Sequence, residues 1–213
     1  MKKICILSFE CPPAKFSELS FPNKQKYCDY HGYDFLSFSN TLSSRPPSWD
    51  KILYIEKVFE ENDYDWIFWQ DSDSYVINHL RKVEEFLDES KDLVVCEDDV
   101  GINLGLFLIK RSDFSFWFLK EVWNYQKYGN TLSGTVCNYI AKEKRRCKYD
   151  AWEQTNAHSI IGLHGEKFTK NIKLYKEHED HFNVTPNLFS EKTFIIHQRN
   201  GYRNMNKFKK YIY

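Results

Sequence analysis

The chain has 213 residues, 42% hydrophobic and 17% aromatic, with only 8 Gly and 6 Pro, which excludes disorder, collagen and linker arrays. Lys plus Arg and Asp plus Glu number 30 each, so the formal charge is +0 and no broad footprint for nucleic acid or a membrane surface is expected. A mean hydropathy of -0.62, with no run approaching the ~20 apolar residues of a span, excludes an integral membrane segment.

The start, Met1 to Ser8, imitates a leader, but its apolar run is short and Glu10 interrupts it. Lys3 to Phe9 therefore reads as a buried first strand. Phe16 to His31 predicts a helix that Pro22 restarts and His31-Gly32 ends, with Tyr33 to Phe38 a second strand. After the breaker Arg45-Pro46-Pro47-Ser48, the residues Ile52, Ile55 and Phe59 share one helical face. Trp66-Ile67-Phe68-Trp69 is continuously apolar, the mark of a strand covered on both faces. Asn78 predicts the cap of a short helix with Leu80, Val83 and Leu87 inward, and Leu93 to Cys96 a further strand. Ile102 to Lys110 reads as a strand. Ser112 then opens an aromatic helix with Phe114, Trp117, Phe118 and Val122 on one side. Helical stretches follow near 133–142 and 151–161, and Thr193 to His197 is the last strand. Alternating strands and helices predict a single α/β domain over 1–213, with a mainly parallel central sheet flanked by helices. Ligands then belong at the carboxyl ends of its strands.

Six cysteines (5, 11, 28, 96, 137, 147) stand far apart without a C-x-x-C. They read as reduced thiols in a reducing, cytoplasmic compartment, which makes the sequon at Asn183 irrelevant. The sharpest chemical signal is Asp71-Ser72-Asp73, at the carboxyl end of the most apolar strand. Two carboxylates there can turn into one crevice and share a hard divalent cation with substrate phosphates. His178 and His181, beside Glu179 and Asp180, read as a solvated loop, and the basic run 142–148 as a solvated helix end.

Trp66 to Asp73 resembles the "W-I-W-W-x-D-x-D" signature of the galactosyl/mannosyl/xylosyl-transferase family, typified by the α-1,6-galactosyl and xyloglucan xylosyltransferases. Three more segments agree in order: Asn23 to Tyr33 with "N-K-x-x-Y-C-x-x-H-G-Y", Trp49-Asp50-Lys51 with "W-x-K", and Asn103 to Lys110 with "N-x-G-x-F-L-I-[KR]". The resemblance implies a Rossmann-like nucleotide-diphospho-sugar transferase fold of the GT-A type. Its nucleotide-binding half would be 1–100 and its sugar and acceptor half 101–213. It also implies retention of anomeric configuration, a UDP-sugar donor, a glycan or other hydroxyl acceptor, and Mn²⁺, with Mg²⁺ as substitute.

Carried over by position, Asp71, Asp73 and His197 become metal ligands. Ser8, Lys51, Ser72, Asn103, Gly105, Arg203 and Lys207 become contacts of the nucleotide sugar. Glu153 or Gln154 lies beneath the anomeric carbon, although Trp152-Glu153-Gln154 stands where the family has "D-D-Q". Asp98-Asp99 rims the cleft. The bland alternatives are a solvent-facing Lys51, a structural His197, and Arg203 with Lys207 on an exposed helix face. Two other functions compete: a metal-dependent phosphohydrolase or nucleotidyltransferase, and a non-catalytic carbohydrate-binding protein on the same fold.

Overall fold

The computed structural model describes residues 2–13, 15–98, 101–125, 152–176 and 178–198. A six-stranded sheet runs through its centre, built from β1 (Ile4–Phe9), β2 (Asp34–Phe38), β3 (Trp66–Gln70), β5 (Leu93–Asp98), β6 (Gly101–Lys110) and β7 (Ile172–Tyr175). The order is β2-β1-β3-β6-β5-β7. β1 pairs in parallel with β2 and β3, and β5 with β7, whereas β6 is antiparallel to both β3 and β5. One reversed strand thus sits in a sheet otherwise of one direction. A second, two-stranded sheet joins β4 (Ser74–Val76) to β8 (Ile195–His197) antiparallel, with His197 opposite Ser74.

β3 explains why the sheet is covered on both faces. All five of its residues are buried. Ile67 and Trp69 join one core cluster with Leu7, Val95 and Phe107, while Trp66 and Phe68 join another with Ile6, Leu106 and Phe182. The first cluster also takes Ile52, Ile55 and Phe59 from α2 (Asp50–Glu61), and Phe118 and Val122 from α3 (Asp113–Asn124). Ser112 caps α3 by accepting from the Ser115 amide. Ala157 and Ile160 of α4 (Glu153–Leu163) and Phe168 of α5 (Gly165–Asn171) complete this layer.

On the other face lies α1 (Lys15–His31), which continues through Pro22 where the sequence predicts a restart. An interior proline costs a helix about 3 kcal/mol. The anchors that follow it offset that cost. Asn23 exchanges two hydrogen bonds with the Val76 backbone (2.9 and 2.8 Å) in the manner of a neighbouring strand. Tyr27 donates to the Arg81 carbonyl at 2.8 Å, and His31 Nε2 meets the His79 carbonyl at 2.7 Å. Gly32, at φ 75°, then closes the helix with its amide on the Cys28 carbonyl. The segment N-K-x-x-Y-C-x-x-H-G-Y is therefore a clamp between α1 and the chain that follows the two aspartates.

The helix expected from Asn78 is not formed. Val83–Phe86 makes a single 3₁₀ turn, Val83 and Phe86 point inward, and Leu80 is exposed. The strands β4 and β7 were not anticipated, and the helix expected near 133–142 lies outside the described residues. Cys5, Cys11, Cys28 and Cys96 are free thiols, and burial pushes Cys5 up to about 12, out of the reactive range. No helix among the described residues is long and apolar enough to cross a membrane.

Candidate functional site

The site lies where β3 and β8 end beside the first half of the antiparallel β6. β3 stops at Gln70, and the next amide, Asp71, donates to the Gly105 carbonyl at 2.8 Å. That contact exists because β6 is bulged. Val95 faces Phe107 and Cys96 faces Asn103, so residues 104–106 have no partner on β5 and swing toward the end of β3.

Asp71 to Ser74 forms a tight turn, with the Ser74 amide and hydroxyl both donating to the Asp71 carbonyl (3.1 and 2.7 Å). β8 pairs with β4 directly after this turn and delivers His197 beside Asp73, Nε2 to Oδ1 3.2 Å. Ligand atoms of Asp71, Asp73 and His197 all lie within 4.8 Å of one another. Burial alone would raise the Asp73 carboxyl, but His197 and Lys24 more than offset it and hold it below the usual carboxylate range. Two carboxylates and an imidazole are a donor set for a divalent cation, and the nitrogen favours Mn²⁺ over Mg²⁺. His197 Nε2 faces the carboxylates while its buried Nδ1 has no hydrogen-bond partner among the described residues.

Lys51 stands in the wall of the site, buried, rather than facing solvent. Its ammonium meets Glu153 at 2.7 Å, the Leu104 carbonyl at 2.8 Å and Asp71 at 3.2 Å. Burial pulls its pKa down, yet Asp71 and Glu153 outweigh that and keep it above the ordinary value. Trp69 Nε1 donates to the same Asp71 oxygen at 2.7 Å, which fixes the carboxylate between indole and ammonium. The W-x-K segment has a local logic as well: Trp49 is buried beside Arg45, Asp50 holds the 42–43 loop, and Lys51 reaches the site.

The other sequence-designated residues fall around this centre. Glu153 begins α4 with one oxygen on Lys51 and its other, Oε2, buried without a hydrogen-bond partner among the described residues. Gln154 Oε1 accepts from the Leu104 amide at 2.9 Å, and the preceding Trp152 is exposed. Asn103 accepts from the Gly105 amide at 2.9 Å and donates to Asp98 at 2.8 Å. Ser72 donates to Glu10 at 2.8 Å. Ser8 is fully enclosed beneath the turn, donating to the Gln70 carbonyl at 2.6 Å. Asp99, Arg203, Lys207 and the run 142–148 lie outside the described residues. His178 and His181 lie in a 3₁₀ loop remote from the carboxylate pair in sequence and join no metal-ligand group among the described residues.

Four participants were missed. Glu10, at the end of β1, receives Ser72. Lys24, fully buried, has its ammonium beneath the turn. Asn183 reaches Asn103 Oδ1 at 3.4 Å. Gln198 donates its amide to the Asp73 carbonyl at 3.0 Å. Burial is the main influence on Lys24 and pushes its pKa down to about 7 against the pull of Asp73, Asp71 and Glu10. Its position could have been found: Ser20, Asn23, Lys24, Tyr27 and Cys28 follow a helical repeat, and all are buried.

A mixed sheet with one reversed strand carries an acidic turn at the end of β3, and known proteins share this arrangement. A model of the galactosyl transferase GMA12/MNN10 family matches residues 10–95, a stretch that holds three of the four segments that carry the resemblance. An uncharacterized alpha-1,2-galactosyltransferase of Schizosaccharomyces pombe is 24% identical over 152 residues, 54% of this chain and 44% of that one. Galactomannan galactosyltransferase 1 of Cyamopsis tetragonoloba is 26% identical over 181 residues, 76% of this chain and 40% of that one. The chain thus spans less than half the length of these relatives. A solved glycosyltransferase involved in the glycosylation of the major capsid of PBCV-1 superposes with a TM-score of 0.69 at 17% identity, covering 93% of each chain. The fold is that of a GT-A glycosyltransferase.

Proposed function

We propose that this chain is a retaining, cation-dependent glycosyltransferase that moves a sugar from a UDP-sugar to a hydroxyl of a glycan or similar acceptor. The observation that carries the reading is the convergence of Asp71, Asp73 and His197 from two separate sheets. The family match over 10–95 and the shared fold support it.

Asp71, Asp73 and His197 would hold Mn²⁺. When bound, the cation neutralises charge gathering on the departing diphosphate. Trp69 and Lys51 hold the Asp71 carboxylate in place. Glu153 Oε2, buried without a partner among the described residues, is an acceptor in want of a donor, and a hydroxyl of the transferred sugar supplies one. Gln154 holds the Leu104 backbone that lines the same wall. The acceptor hydroxyl attacks the anomeric carbon on the face from which the diphosphate leaves, and its proton passes to a departing phosphate oxygen.

The test is a thermal-shift series of nucleotide sugars with Mn²⁺, Mg²⁺ or EDTA, followed by assay of UDP release. Stabilisation by one UDP-sugar with Mn²⁺, together with slow UDP release, is the expected result. Stabilisation without any UDP release would leave a sugar-binding protein, and indifference to every UDP-sugar would sink the reading.

A further inference from the structure

Lys24 is a buried charge that the catalytic reading does not use. Lys24 has no solvent exposure, and its ammonium donates to the Asp71 carbonyl at 2.8 Å and to Ser8 Oγ at 3.0 Å, with the Gln70 carbonyl at 3.5 Å. These acceptors have something in common. The parallel ladder between β1 and β3 runs from Ile4 opposite Trp66 to Leu7 opposite Trp69 and ends there. Beyond it, Lys24 and Ser8 supply donors to the backbone at the point where strand becomes turn. Asp73, Asp71 and Glu10 surround the ammonium electrostatically. A buried cation is expensive unless it is paired and hydrogen-bonded, and here its bonds all go to the root of the two-carboxylate turn.

We propose that Lys24 is a positioning residue for the cation site: it fixes the Asp71–Ser74 turn from below so that both carboxylates are presented to one ion. It touches neither the ion nor the nucleotide. The proposal rests on the reading of Asp71, Asp73 and His197 as cation ligands.

Lys24→Met keeps the stem and removes the donor. Mn²⁺ titration of the whole chain, followed by electron paramagnetic resonance, is expected to show a Kd weaker by about tenfold or more, with UDP affinity in Mn²⁺ falling alongside. Tyr27→Phe is the control from the same helix face, since it removes the hydroxyl that bonds the Arg81 carbonyl and Tyr33 and leaves the Lys24 contacts in place. It is expected to lower the melting temperature and leave the Mn²⁺ Kd unchanged. A folded Lys24→Met protein with wild-type Mn²⁺ affinity overturns the proposal, and so does an equal loss in Tyr27→Phe, which would make the effect general loosening. If Lys24→Met does not fold, Ser8→Ala decides, because it removes the hydroxyl that links Lys24 to Gln70. A weaker Mn²⁺ Kd there supports the role, and an unchanged one refutes it. Wild-type protein that takes up no Mn²⁺ sinks the cation reading itself, and the role of Lys24 with it.

Discussion

A methyl group at Gly105 would overlap His197 Cε1 and lie 2.8 Å from its Nε2 and 3.0 Å from Asn103 Oδ1. The imidazole therefore stands where only a glycine leaves room, on the backbone that the β6 bulge pushes toward β3. The bulge, the glycine and the histidine form one arrangement: the first brings the backbone close, the second keeps it bare, and the third fills the space.

Gly105→Ala should consequently push His197 away from Asp73 without disturbing the strands that flank it. Mn²⁺ affinity is expected to fall by about tenfold or more, while the far-UV circular dichroism spectrum stays that of wild type. Unchanged Mn²⁺ binding in this variant would mean that His197 is not a ligand.

Asp73→Asn tests the cation from the carboxylate side. The backbone carbonyl of Asp73 still receives the Gln198 amide, so the turn keeps that anchor. Residues one step removed from a metal already cost about 10–100-fold when replaced, and a direct ligand should cost at least about 100-fold in UDP-sugar turnover. EDTA is expected to do the same to wild type. Activity that survives both treatments would remove the metal from the account.

The sequence revealed the site's centre because its carriers are local. Five buried residues followed by two aspartates make a strand running into an acidic turn, and that pattern needs no tertiary information. The support was less legible. β4 is three residues long and carries no periodic signal; it exists because it pairs with β8, which the sequence does show. Pro22 reads as a break, yet α1 runs through it because Asn23 and Tyr27 find backbone partners some fifty residues downstream. Leu80, expected inside, is exposed because the predicted helix is a lone 3₁₀ turn. Lys24 looks like a solvated lysine until its neighbours on the helix face are seen to be buried.

Lys51 and Glu153 offer a stability test apart from catalysis. Both side chains are 4% exposed and meet at 2.7 Å. Removing one member of a buried pair costs about 3–5 kcal/mol because the other is left unpaired. Lys51→Met should therefore lower the thermal midpoint by roughly 6–20 °C. Adding Glu153→Gln is expected to restore part of that loss, a coupling of about 1 kcal/mol or more in a double-mutant cycle. Strictly additive losses would show that the pair is not coupled in solution.

The pH dependence of stability should carry the mark of His158. Its ring packs on Gly101, which sits at φ 120°, and its Nε2 donates to the Ile102 carbonyl at 2.8 Å. Burial lowers its pKa from the ordinary 6.5, and the Ile102 carbonyl and Asp98 pull upward without cancelling the effect. In the unfolded chain the ring gains its proton near pH 6.5, whereas in the folded chain it does so only at lower pH. Between those points the unfolded state binds more protons, so stability is complete above about pH 6.5 and declines as pH falls through the folded pKa. His79, also lowered chiefly by burial, acts with the same sign. Denaturant midpoints measured at about pH 7.5 and about pH 5 should therefore differ, the acid value being lower. His158→Gln keeps a donor for the Ile102 carbonyl but has no proton to gain, so its midpoint should fall less over the same interval. An identical fall in both proteins would show that His158 titrates alike folded and unfolded.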